Sequence, residues 1–192
     1  MENNRVEAFS DGVFAIIITI MVLELKVPHG SDWTALRPLL PVFLNYVLSF
    51  IYLGIYWNNH HHLLKACPCV NGAILWANLH LLFWLSLFPF VTGWLGENHF
   101  TSSPSALYGA VLLFAAIAYY ILQSLIIAGQ GGYESTLARA IGKDWKGKLS
   151  PVLYAIAIGA SFIRPWIAGG IYVLVALIWL IPDRRIARVI DR

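Results

Sequence analysis

The stretch RVEAFSDGVFAIIITIMVLELKVP, residues 5–28, decides how the rest of the chain is read. From Gly12 to Leu23 it is almost wholly apolar, yet the lead into it carries Arg5, Glu7, Ser10 and Asp11. A carboxylate that close to lipid is costly unless other helices supply partners. On a helix, Ile16, Thr19, Ile20 and Leu23 fall at i, i+3, i+4 and i+7, within a stripe roughly 100° wide. Ser10 and Asp11 lie roughly 120–140° away from Ile16, on the other side. The stretch therefore predicts one helix with two jobs: a narrow line of branched apolar residues with a single hydroxyl, and a short polar cluster that packs against neighbouring helices.

The whole chain supports a membrane setting for that helix. Of 192 residues, 59% are hydrophobic and 12% charged, and the mean hydropathy is +0.69. Soluble domains carry about 25% charged residues. The apolar residues fall in blocks close to the length of about 17–25 residues that crosses a bilayer. Six spans are expected, at about 6–27, 38–63, 70–95, 105–128, 150–164 and 166–182, the last two short and separated at Arg164-Pro165. The fold class is thus all-α, a polytopic membrane protein forming a single domain over residues 1–192. The lead MENNRVEAF lacks a basic signal-peptide start, and no small-residue cleavage site follows the apolar run, so the first helix is expected to be retained. No convincing repeat relates the two halves, which gives an inverted-repeat carrier little support.

Lys and Arg set the orientation. With six spans, Arg5, Lys65, Arg139, Lys143, Lys146, Lys148, Arg184, Arg185, Arg188 and Arg192 share one side, against Lys26, Arg37 and Arg164 on the other. That excess in short loops predicts a multi-pass protein of the cell membrane with both termini in the cytoplasm. The net charge of +3 reflects this topology. The basic residues lie beside spans, with no stripe interleaved with aromatics, so nucleic acid is not an expected partner. Trp33, Trp94, Trp145 and Trp166 near span ends suit an interfacial belt.

The polar residues inside spans are the candidate functional set. The second span ends YWNNHHHLLK (56–65) and the third begins CVNGAILWANLHLLFW (69–84). At about 1.5 Å per residue, Asp11, His60 and Asn78 reach a similar depth, and a carboxylate, an imidazole and an amide in one buried layer satisfy each other. This layer is expected to join the first three helices, and loss of Asp11 to impair assembly. Ser10, Asp11 and a histidine are also the ingredients of a hydrolytic triad. However, adjacent helical residues point about 100° apart, and no G-x-S-x-G elbow is present, so catalysis is not expected. His60, His61 and His62 resemble a metal tract, but three consecutive helical residues do not converge on one ion. Cys67 and Cys69 supply two of the four ligands a zinc site needs, and are read as reduced thiols. His80 is expected to be a hydrogen-bonded interior histidine. Glu24 and Lys26 either snorkel at the outer interface, or Glu24, repeated around a pore, concentrates cations. No cofactor is implied.

The motif R-x-x-A-F-S-D-G-V-F-A-I at residues 5–16 resembles the signature of the bacterial relatives of the transmembrane protein 175 family, the endosomal and lysosomal potassium channels. Phe9-Ser10-Asp11 matches its hallmark tripeptide. Trp57-x-x-His60, Asn78 and Leu87-Phe88-Pro89-Phe90 extend the match over the first three spans, and the last three match in hydropathy alone. The resemblance implies a homotetramer, because the animal proteins carry two six-helix repeats and this chain one. It implies a pore lined by the first helix, with potassium and other monovalent cations as permeant partners. Ile16 would form the bulky constriction, Thr19 a hydroxyl ring linked to potassium preference, and Ile20 and Leu23 the continuing apolar path. Arg5, Phe9, Ser10, Asp11, Trp57, His60 and Asn78 would bind neighbouring helices away from the pore. Ala15 stands where animal repeats often carry a hydroxyl, which implies modest selectivity, and no T-V-G-Y-G filter is present. Residues alone lead to nearly the same place: four copies of an apolar stripe around an axis make a constriction that gates by dewetting. The alternative is a proton-linked carrier or proton leak using Asp11, His60 and His80 as a relay. A non-conducting scaffold is the third reading.

Overall fold

The computed structural model describes residues 3–67, 69–132, 136–142 and 144–180. Among these residues the regular elements are all helices: α1 (Asn3–Leu23), a 3-10 helix (Trp33–Leu39), α2 (Leu40–Lys65), α3 (Gly72–Ser86), α4 (Phe88–Glu97), α5 (Ser102–Gly129), α6 (Thr136–Ile141), α7 (Trp145–Ser161) and α8 (Pro165–Leu180).

Local chemistry sets most of the boundaries. No Pro interrupts α1, which begins three residues ahead of the expected span and stops at Leu23, where Glu24 N–H closes a last turn onto the Met21 carbonyl. The 3-10 helix carries Pro38 and runs directly into α2, whose Leu40 is already helical. Together they make one apolar segment of 33 residues, Trp33–Lys65. Asn71 caps α3 by accepting from the Ile74 N–H at 2.9 Å. The expected third span is not one helix. It breaks at Leu87, because Pro89 two residues on has no N–H to donate and α4 restarts with the proline in its first turn. α3 and α4 still follow one another as a single apolar segment, Gly72–Glu97. α5, at 28 residues, is the longest helix. α7 begins at the Asp144 cap and α8 at Pro165.

Among the described residues, four segments are long and apolar enough to cross a membrane: Asn3–Leu23, Trp33–Lys65, Gly72–Glu97 and Ser102–Gly129. α7 has 17 residues and α8 has 16, each about 25 Å at 1.5 Å per residue. The last expected span extends to 182, and residues 181 and 182 lie outside the described residues, as do Lys143 and the tail arginines 184, 185, 188 and 192. Trp33, Trp145 and Trp166 are exposed near helix starts.

The two halves of the chain pack differently. α5 packs on α7, α3 and α4, and α7 packs on α8, so the second half forms the tighter bundle. α1 lies at the edge against α2, α4 and α3. Where the halves meet, buried tyrosines keep their hydroxyls bonded. Tyr52 donates to the Tyr172 carbonyl at 2.6 Å, Tyr172 to the Ser105 carbonyl at 2.9 Å, and Tyr108 shares a bond with Ser49 at 2.9 Å. In an apolar medium each such bond removes a cost of several kcal/mol for an unsatisfied group.

Candidate functional site: two faces of the first helix

α1 buries Val6, Ser10, Phe14, Ile17 and Met21, a spacing of four or three residues that keeps one face inward. Phe14 is 1% exposed and packs beside the His60 ring, with centroids 5.6 Å apart. His60 and Asn78 are both buried. The His60 Nε2 and Asn78 Oδ1 are 2.7 Å apart, and Asn78 Nδ2 donates to Ser10 Oγ at 3.0 Å. With its amide oxygen facing the ring, Asn78 requires the proton on Nε2. Ser10 Oγ in turn donates to the Val6 carbonyl at 2.8 Å. One polar chain thus ties α2 to α3 and α3 to α1, and the Nδ1 of His60 has no hydrogen-bond partner among the described residues.

Asp11 is not in that chain, which corrects the expected carboxylate–imidazole–amide layer. The member contributed by α1 is Ser10. Asp11, one step of about 100° round the helix, accepts from the Trp57 indole N–H at 2.9 Å at the half-exposed rim. The reason is energetic: a hydroxyl enters a buried layer at far lower cost than an ionised carboxylate. The rim continues as Trp57 stacks on His61, whose Nδ1 lies 2.7 Å from a Glu7 carboxylate oxygen. Asn3 Nδ2 donates to the Leu64 carbonyl at 2.6 Å, fixing the start of α1 to the end of α2. Arg5 and Phe9, the other two residues of the expected cluster, are exposed on this chain.

The opposite face carries the expected stripe. Ile16 is 58% exposed, Ile20 43% and Leu23 77%, and Thr19 lies exposed among them. Thr19 Oγ1 donates back to the Ala15 and Ile16 carbonyls at 3.0 and 2.9 Å. Its proton is committed to the backbone, so the oxygen offers lone pairs to whatever approaches the stripe. Gly12 and Ala15, on the same side, leave the backbone accessible.

At the far end of α1, Glu24 lies against α4 so closely that a Cβ on Gly93 would stand 3.0 Å from its Oε2. Lys26 pairs with Glu97, and that hydrogen bond and charge raise the lysine above its usual range. His80 does not lie in the interior. Two residues beyond Asn78 it points about 200° away, onto the exposed side of α3, where its Nε2 accepts from the Trp84 indole at 2.9 Å. Cys67 and Cys69 are free thiols, and burial pushes Cys67 up. No group of three or more His, Cys, Asp or Glu converges as a metal site among the described residues.

A second polar chain sits deeper, where no site was expected from the sequence. Asn45 Nδ2 donates to the Thr92 carbonyl at 2.6 Å, and Thr92 Oγ1 donates to Ser49 Oγ at 2.7 Å. All three are buried. The signal was present as an Asn, a Ser and a Thr within apolar runs, each of which needs a partner in lipid.

Comparisons with known proteins bear on this arrangement. Residues 5–89, which hold α1, α2 and the α3–α4 break, match the family model described as endosomal/lysosomal potassium channel TMEM175. A protein of Chryseobacterium sp. (strain P1-3) named as a potassium channel is 59% identical over 188 residues, 98% of this chain and 97% of that one. The TMEM175 protein of Gallus gallus, named as an endosomal/lysosomal proton channel, is 40% identical over 75 residues, 33% of this chain and 15% of that one. The fold superposes with a TM-score of 0.81 on the crystal structure of a lysosomal potassium-selective channel TMEM175 homolog from Chamaesiphon minutus, 29% identical and covering 95% of this chain and 98% of that one. With its signature helix, its buried anchors and near-full-length relatives in agreement, the chain belongs to the TMEM175 family.

Proposed function

We propose that this protein is a potassium-permeable channel for monovalent cations, built from four copies of the chain around α1 in a cell membrane. The observation that carries the reading is the division of α1. Its inner face is held by the Ser10–Asn78–His60 chain, while Ile16, Thr19, Ile20 and Leu23 on the outer face are left exposed by the described helices. Around a four-fold axis, where head-to-tail contacts between copies close into a ring, the stripe becomes a wall. Ile16 forms a ring without oxygens, through which an ion passes only after shedding water. Leaving a charge unsolvated costs many kcal/mol, so the ring closes the pore without filling it. Thr19, one turn on, presents an acceptor oxygen and accounts for a modest preference for potassium over sodium. Glu24 stands at the outer mouth, and Arg5, Phe9, Ser10, Asp11, Trp57, His60 and Asn78 hold the wall in place.

The topology in this reading is six spans forming one domain, with both termini cytoplasmic. α7 and α8, too short to cross without a thinned bilayer, are supported by their packing on α5 and on each other. A proton relay through Asp11, His60 and His80 finds no support in the geometry. Asp11 bonds Trp57, and His80 bonds Trp84 on an exposed face.

Purified protein in liposomes with imposed potassium, sodium or proton gradients tests the reading. Potassium flux at channel rates, sodium flux at a lower rate and no saturation at carrier levels are expected. No cation flux from well-assembled tetramers would leave a scaffold.

A further inference from the structure

The buried pair of His60 and Asn78, with Nε2 and Oδ1 2.7 Å apart, fixes the facing sides of α2 and α3. The same two helices carry a second polar pair that has no such meeting. Asn58 stands two residues before His60 on α2, and His80 two residues after Asn78 on α3. His60 meets Asn78 while Asn45 meets Thr92, so α2 and the α3–α4 segment run antiparallel. Both two-residue steps therefore lead in one direction along the bundle. At 1.5 Å per residue, Asn58 and His80 each lie about 3 Å beyond the buried pair, at one depth. Two residues also turn a helix by about 200°. Since His60 and Asn78 point at each other, Asn58 and His80 point outward and away from each other, and both are exposed.

Their polar atoms are unfinished. His80 Nε2 accepts from Trp84, which puts the ring proton on Nδ1. That Nδ1 and the Asn58 amide have no hydrogen-bond partner among the described residues. Counted from Lys65 at the end of α2 and from Gly72 at the start of α3, the two residues stand roughly 10–12 Å inside their apolar segments. Hydrocarbon offers them nothing, and polar side chains inside spans face protein. Their apolar surroundings also match. Trp76, Leu79 and Phe83, 75%, 42% and 56% exposed, form a bulky ridge beside His80. One turn from Asn58, Gly54 leaves open space where a side chain would stand, a notch that lets another helix approach. Phe83 lies five residues beyond Asn78, about 7.5 Å, and Gly54 six before His60, about 9 Å, so ridge and notch share a level.

We infer that Asn58 of one copy accepts a hydrogen bond from His80 of the next, with Phe83 of that second copy seated over Gly54 of the first. The contact presupposes the assembly around α1 proposed above, and supplies the surfaces that close it. Because Asn58 and His80 lie on opposite sides of one chain, the contact is head-to-tail, the kind that closes into a ring. α2 and α3 both pack on α1, so the contact sets how far apart neighbouring copies of α1 stand.

Thiol crosslinking in bacterial membranes tests the contact. In the full chain with Cys67→Ala and Cys69→Ser, Asn58→Cys and His80→Cys are combined and treated with a short bifunctional thiosulfonate. A ladder of dimer, trimer and tetramer is expected on a denaturing gel. Either variant alone should remain monomeric, and co-expression of the two single variants should give dimers and nothing larger. Crosslinks in either variant alone would make the contact symmetric and overturn the proposal. Ile16→Cys alone reads the ring itself. Crosslinks there with none between positions 58 and 80 would overturn the contact and leave the channel reading standing, and none at either place would overturn both. Asn58→Leu, which keeps His80 and its bond to Trp84, decides the matter if the cysteine variants fold poorly. At a contact between copies it should weaken assembly roughly threefold per contact. Against lipid it removes a polar group from hydrocarbon, and assembly left unchanged or strengthened would overturn the proposal.

Discussion

The two faces of α1 are nearly equal in hydrophobicity and opposite in fate. Phe14, Ile17 and Met21 are almost fully buried, while Ile16, Ile20 and Leu23, interleaved with them, are open. In water the exposed set alone would signal a partner surface. In a bilayer it does not, because lipid chains solvate isoleucine as well as another helix does. What separates the faces is where the polar atoms go. Those on the inner face are consumed in a chain across three helices, which fixes the rotation of α1 about its own axis. Thr19 alone turns an oxygen toward the open side. A pore wall and a lipid-facing wall are thus distinguished by function, and variants on the two faces should fail in different ways.

The largest effect is expected on the inner face. Asn78→Ala removes the acceptor of His60 and the donor to Ser10 in a buried site, which costs about 1–3 kcal/mol for the imidazole left unpaired. Fluorescence-detected gel filtration after heating should show a clear fall in melting temperature and in assembled protein, with ion preference unchanged in what survives. A melting temperature equal to that of the unaltered chain would mean that packing around Phe14, and not the polar chain, fixes the rotation of α1.

On the outer face the order reverses: conduction changes and stability does not. Ile16→Asn places an amide with an acceptor oxygen and two donors at the proposed ring. The ring should wet, and single-channel current should rise on the order of tenfold, a barrier change of about 1.4 kcal/mol. The biionic reversal potential should move toward equal potassium and sodium permeability, at an unchanged melting temperature. Unaltered current and reversal potential in a normally folded variant would place Ile16 against lipid.

Between the two lies the rim. Asp11→Ala deprives the half-exposed Trp57 indole of its acceptor, a loss of about 1 kcal/mol at most for a group that water also reaches. A modest drop in the yield of assembled protein on gel filtration is expected, and Asp11→Asn, which keeps an acceptor oxygen, should recover most of it. Equal loss in both variants would show that the charge matters, and not the hydrogen bond.

How far the sequence carried the structure depends on which physical quantity it encoded. The two faces of α1 were legible because a 3.6-residue period writes them directly. That His60 and Asn78 meet a polar group of α1 was legible because polar groups at one depth must meet in lipid, but the reading gave that place to Asp11 and it belongs to Ser10. The share taken by Asp11 was not, since Ser10 and Asp11 are neighbours and their difference is one of desolvation, settled only when the third helix is in place. His80 was misplaced for a similar reason. Depth along a helix puts it close to Asn78, but its rotation puts it outside. The break at Leu87–Pro89 was missed, because the unbroken hydropathy of 70–95 reads as one span.

The smallest effect, and the finest division between the faces, belongs to Thr19. Thr19→Val keeps the branched shape and removes the oxygen. Since that hydroxyl donates to the Ala15 and Ile16 carbonyls, on the proposed pore wall it would offer a passing ion one acceptor per subunit. A stabilisation on the scale of one weak hydrogen bond, about 0.5 kcal/mol, corresponds to a change of roughly twofold in the potassium-to-sodium permeability ratio. Thr19→Ser, which retains the oxygen and the back-bond while losing the methyl, provides the control. It should hold the ratio of the unaltered channel while Thr19→Val lowers it, with single-channel conductance similar in all three. If the serine variant falls as far as the valine variant, the width set by the methyl group governs the preference, and the oxygen that distinguishes the outer face of α1 has no part in choosing the ion.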